Sequence, residues 1–167
     1  MRKHARNIAY SALIAAMYAA LTHLQNLLIP GSATWAIQFR ASEALCILAF
    51  FTPAAIPGLS VGCFLFNLTY SGALPFDPVV GTLATALAAG GMYLTRQFPV
   101  FGLCLPALFN ALLVGWELAV YVGDGFWINC LYVAIGELAV LFTLGLILYA
   151  TMKKRGLARR LFGESAC

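Results

Sequence analysis

The stretch Gln38-Phe39-Arg40-Ala41-Ser42-Glu43-Ala44-Leu45 places an arginine and a glutamate three residues apart between two long apolar segments. Charges at membrane depth are expensive and face a cavity or a partner where they occur, so the pair marks either a functional site or a buried structural ion pair. On a helix start, Glu43 at i+3 is close enough to pair with Arg40, and Asp77 is a second acid within reach.

Outward from this stretch the chain is mostly hydrocarbon. Its 167 residues are 62% hydrophobic and 10% charged, which places it in a bilayer. The expected fold is an all-α integral membrane protein with six transmembrane helices in a single domain. The predicted spans cover about 7–28, 40–52, 58–70, 78–94, 100–122 and 126–152. Arg2, Lys3 and Arg6 at one end and Lys153, Lys154, Arg155, Arg159 and Arg160 at the other predict that both termini are cytoplasmic, which requires an even number of crossings. The first span follows a basic start but lacks a small-residue cleavage site, so it is expected to be retained rather than removed as a signal peptide. Two spans are short, with Pro53 and Pro57 turning the chain between them. Spans this short imply a thin or tilted region, or helices shielded by their neighbours.

The net charge of +4 sits in the two tails and reports orientation and contact with anionic headgroups, not nucleic-acid binding. The five cysteines are scattered without a CxxC pair and read as small buried apolar residues. His4 and His23 are far apart with no ligand-spaced partners, so neither a metal site nor an enzyme is expected.

The candidate site rests on polar residues inside apolar spans. Asn110 and Glu117 are seven residues apart and fall within about 20° of one helical face, which Tyr121 continues. Glu137 lies deeper, in the last span, with Asn129 and Tyr132 ahead of it; Asn67 lies near the outer end of the third, and Trp116 sits beside Glu117. An intramembrane carboxylate must find donors or take up a proton, so Glu117 and Glu137 are expected to line a site or to join a core hydrogen-bond network. Acids, asparagines and aromatics around an outward-facing cavity suit a flat heterocycle with adjacent donors. A proton-coupled small-solute carrier, with Glu117 and Glu137 exchanging protons and Arg40 gating, is the other reading; the absence of paired halves with broken helices argues against it.

Ala12, Ala16 and Ala20 recur every four residues on the first span and form a smooth ridge that lets another helix approach, either within the chain or from a partner. This ridge, the six-span plan and the motifs Gln38-Phe39-Arg40-x-Ser42-Glu43-Ala44-Leu45 and Gly72-x-Leu74-x-x-Asp77-Pro78-Val79-x-Gly81-Thr82 resemble the QueT-type queuosine-precursor transporters. Those are substrate-binding subunits, or S components, of energy-coupling factor (ECF) transporters. The resemblance implies an S-component fold and a 7-deazaguanine ligand such as queuine, queuosine or 7-aminomethyl-7-deazaguanine; another vitamin-like small molecule is the alternative. Arg40, Glu43, Asn67, Asp77, Asn110, Trp116, Glu117, Asn129, Tyr132 and Glu137 are then the candidate substrate-binding residues. Ala12, Ala16 and Ala20 become the face that meets a transmembrane coupling protein, which carries two cytoplasmic ATPases. The chain lacks a Gly-x-x-x-x-Gly-Lys-Ser/Thr loop, so it needs no cofactor of its own and ATP would be used by those partners.

Overall fold

The computed structural model describes residues 2–32, 37–123 and 125–163; Trp35, Asp124 and Cys167 lie outside the described residues. Helix α1 (Arg2–Leu28) leads through a loop into a ten-residue 3₁₀ helix, Ala41–Phe50. There follow α2 (Ala55–Thr69), α3 (Asp77–Leu94) and α4 (Pro99–Tyr121). The last long segment is α5 (Phe126–Val140), a π-helical turn (Leu141–Gly145) and α6 (Leu146–Lys154), followed by the short α7 (Leu157–Phe162). No strand occurs among the described residues. Three segments, His4–Leu28, Pro99–Tyr121 and Phe126–Lys154, are long and apolar enough to cross a membrane. This is an all-α membrane protein.

Prolines punctuate the bundle where they cost least. Pro57, Pro78 and Pro99 stand in the first turns of α2, α3 and α4, where a backbone N–H has no intrahelical acceptor to lose. Pro106 is different, being inside α4 and buried, and it leaves the Gly102 carbonyl without its usual donor.

The described helices run along the bundle, and the start of α1 and the short α7 lie together at one end. There Ser11 donates to the Ala54 carbonyl at 2.8 Å, and the Tyr10 ring meets Phe162 edge-on with centroids 5.2 Å apart. The Tyr10 hydroxyl also donates to the Leu161 carbonyl, tying α7 to α1. At the far end lie the turns joining α2 to α3 and α4 to α5.

The 3₁₀ helix is the axis. Nine of its ten residues are buried, against Ile14 and Tyr18 of α1, Leu59 and Cys63 of α2, Ala89 and Met92 of α3, Leu103 of α4, and Leu141. Runs of 3₁₀ this long are uncommon because their hydrogen bonds are poorly aligned. Here side-chain burial on every side offsets that weakness, and the steeper rise carries ten residues about 20 Å where an α-helix would carry them about 15 Å. A short sequence therefore reaches most of the way through the bundle without facing lipid.

Helices α1 and α2 approach closely on small residues. A Cβ on Gly62 would lie 2.7 Å from Tyr18 Cβ and 2.8 Å from the Ala15 carbonyl oxygen, and one on Gly58 would lie 2.8 Å from the Ser11 carbonyl oxygen. The alanine that faces α2 is Ala15, which is buried; Ala12, Ala16 and Ala20 point away and are exposed. The ridge is therefore not packed within this chain.

Candidate functional site

Polar side chains buried in the half of the bundle toward the far end come from every major element: Tyr18, Thr22 and Asn26 of α1, Arg40, Ser42 and Glu43, Asn67 of α2, Asp77 and Thr85 of α3, Asn110 and Glu117 of α4, and Asn129 and Glu137 of α5. The stretch around Arg40 holds them together. Gln25 anchors its start: its amide oxygen accepts from Ala41 N–H at 2.8 Å, while its amide nitrogen donates to the Phe39 carbonyl and to Ser32 Oγ at 2.9 Å.

Glu43 is satisfied from two sides. The Tyr18 hydroxyl donates to Oε1, and the Cys46 thiol donates to Oε2 at 3.1 Å. One helical turn along α1, Thr22 and Ser42 share a hydroxyl–hydroxyl bond of 2.6 Å. Arg40, in extended backbone just before the 3₁₀ helix, lays its guanidinium over the Phe66 ring, 5.6 Å from the centroid, with Nη1 3.8 Å from Cys63 Sγ. It lies within electrostatic reach of Glu43, Glu117 and Glu137. The expected Arg40–Glu43 neighbourhood is present, but Glu43 takes donors from Tyr18 and Cys46 in addition to the field of Arg40.

Two further pairs complete the cluster. Asn67 Nδ2 donates to the Asp77 carbonyl at 2.9 Å, and Asp77 Oδ2 accepts from Leu74 N–H at 2.6 Å, reaching back across the start of α3. Asn110 Nδ2 donates to Glu137 Oε1 at 3.1 Å, joining α4 to α5. Glu117 lies beside Asp77 and the Phe76 backbone and is fully buried. Neither of its oxygens is met by a donor in hydrogen-bonding geometry, and the same holds for Glu137 Oε2 and Asn67 Oδ1. These are all acceptors.

The structure thus brings Arg40, Glu43, Asn67, Asp77, Asn110, Glu117, Asn129 and Glu137 into the buried interior. Trp116 is not among them: next to Glu117 in sequence, it is turned about 100° around α4 and is 52% exposed. Tyr132 is half-buried on α5, and Tyr121 is exposed against Phe76. Sequence reasoning missed Tyr18, Thr22, Gln25 and Asn26, although their three- and four-residue spacing on α1 is the same signal that singled out Asn110 and Glu117. Among the described residues no group of three His, Cys, Asp or Glu side chains is placed to hold a metal ion.

A family profile described as QueT transporter matches residues 8–154. The chain belongs to the QueT transporter family. No curated protein and no solved structure matches it. Membership makes this a membrane transporter of the queuosine-precursor type, and the matched span of the QueT profile contains every buried polar residue described above.

The packing predicts a structural role for Tyr18 apart from any ligand. Tyr18→Phe removes a donor and leaves Glu43 Oε1 buried and unmet, so the purified protein without added ligand should lose about 1–3 kcal/mol of stability. Thermal unfolding in detergent checks this; an unchanged midpoint would show that Glu43 does not depend on the tyrosine.

Proposed function

We propose that this protein is the substrate-binding S component of an ECF-type importer and captures a 7-deazaguanine queuosine precursor or salvage base. The reading rests on one observation: the buried cluster holds carboxylate and amide oxygens that the protein itself does not supply with donors. Burying an acceptor without a donor costs about 1–3 kcal/mol, more when it is charged, so a cluster of them favours an occupant rich in N–H groups. A deazaguanine presents an N–H and an NH2 on one edge, which a carboxylate accepts as two parallel bonds. An aminomethyl substituent adds a cation, suited to an interior that buries Glu43, Asp77, Glu117 and Glu137 along with Arg40. In this reading Glu117 accepts from the guanine-like edge, and Asn67 and Glu137 contribute the remaining acceptors.

The proposed topology has six membrane crossings with both termini cytoplasmic, supported by the three long apolar segments, the shorter apolar helices between them and the basic residues near both ends of the sequence. ATP-driven release would come from a transmembrane coupling protein and two ATPases. The exposed Ala12, Ala16 and Ala20 supply a surface on which a partner helix could pack backbone to backbone.

Two substitutions separate capture from coupling. Glu117→Gln places an amide donor beside Asp77, where the unliganded protein tolerates it, but opposes that donor to a ligand N–H. Affinity for 7-aminomethyl-7-deazaguanine, measured by titration calorimetry, should fall by about 2–4 kcal/mol, or roughly 30- to 1,000-fold. An equally stable variant with unchanged affinity would remove Glu117 from the site. Ala16→Trp should leave that affinity intact while abolishing uptake in cells and co-purification with the coupling subunits; normal uptake would remove the ridge from the mechanism.

A further inference from the structure

A cavity lies at the opposite end of the bundle from the buried cluster, beside α7. It measures about 650 Å³ and is bounded by the end of the 3₁₀ helix, the turn between α3 and α4, and α6 with α7. A volume of this size is within the range of small-molecule sites. Its walls carry Arg96, Lys153, Lys154 and Arg159, and its apolar floor is formed by Phe51 and Tyr149, stacked at 5.6 Å with planes 25° apart. A second cavity of about 320 Å³ adjoins it, sharing Arg96 and Phe51 and adding Arg6.

The four described carboxylic side chains, Glu43, Asp77, Glu117 and Glu137, are all buried in the polar cluster, and among the described residues no acidic side chain lines either cavity. The cations are held in place rather than dispersed: the Arg96 guanidinium lies 4.7 Å from the Tyr93 ring centroid and the Lys153 ammonium 5.7 Å from that of Tyr149. Cation–π contact fixes each head group at the cavity wall while leaving its N–H donors available to an anion. A tail whose positive charge served orientation alone would need neither a concave shape nor an aromatic floor.

We propose that this cleft binds a phosphate group, with the phosphate seated between Arg96 and Lys153 and the attached apolar or glycerol portion against Phe51 and Tyr149. The phosphate belongs either to an anionic lipid headgroup of the adjoining leaflet or to a soluble phosphorylated compound. The site is separate from the one that captures the transported base, and stands whether or not that base is a deazaguanine.

The test uses the full chain in nanodiscs of phosphatidylcholine and phosphatidylglycerol, with lipids retained after gentle delipidation counted by native mass spectrometry. Retained phosphatidylglycerol should exceed phosphatidylcholine, and the Arg96→Gln, Lys153→Gln protein should lose about twentyfold in retention, on the order of fivefold for each cation. A charge-matched control, Arg155→Gln with Arg160→Gln, removes two exposed cations that line neither cavity and should retain the lipid. Equal loss in the two double variants would reduce the effect to diffuse surface charge and overturn the proposal. So would a wild-type protein that retains the two lipids alike. Displacement of the lipid by millimolar inorganic phosphate or glycerol phosphate would assign the cleft to a soluble ligand, whereas resistance to both would assign it to the headgroup.

Discussion

A carboxylate removed from water must find donors, a cation or a proton, and this bundle buries Glu43, Asp77, Glu117 and Glu137 together with Arg40. The rest of the structure is arranged about that constraint. Glu43 is settled within the protein by Tyr18 and Cys46, and Glu137 is half settled by Asn110. Glu117 lies beside Asp77 and the Phe76 backbone, and neither of its oxygens is met by a donor in hydrogen-bonding geometry. The acids thus run from satisfied to unsatisfied: Glu43 fixes α1 to the 3₁₀ helix, whereas Glu117, without a hydrogen-bond donor, is the acid on which the proposed ligand-reading role rests.

The 3₁₀ helix makes the arrangement possible. Its rise lets a ten-residue segment run along the axis of the bundle, and its burial exempts it from the requirement that a membrane-facing segment be apolar outward. Arg40 and Glu43 thus enter the interior on backbone that never meets lipid. The cost of the strained hydrogen-bond geometry is offset by Leu45, Ile47, Leu48 and Phe50 packing on surrounding helices.

Much of this was legible in the sequence, and the exceptions have physical reasons. The membrane environment, the helical class and the importance of the Arg40–Glu43 stretch follow from hydropathy and from the rarity of charge in apolar segments. The shortness of the segment after Arg40 allowed tilt, thinning or shielding; only the packing shows that it is shielded. The Asn110–Glu117 stripe was readable because seven residues return a helix nearly to the same face. Trp116 failed the same rule, since adjacent residues do not share a face, and it lies outside the cluster. The α1 contributors were obscured because Ala12, Ala16 and Ala20 dominate one face of that helix, while Tyr18 and Thr22 occupy another whose partner, the 3₁₀ helix, is twenty or more residues away.

The central claim is that the buried acceptors are the reading surface for a donor-rich base. It is tested most directly by denaturing the protein purified from cells supplied with queuosine precursors and identifying by mass what is released. The account predicts a 7-deazaguanine at close to one per chain from the wild type, sharply reduced when Glu117 is replaced by Gln. Release of a compound without N–H donors in its place, or of the same base in equal amount from both proteins, would contradict it.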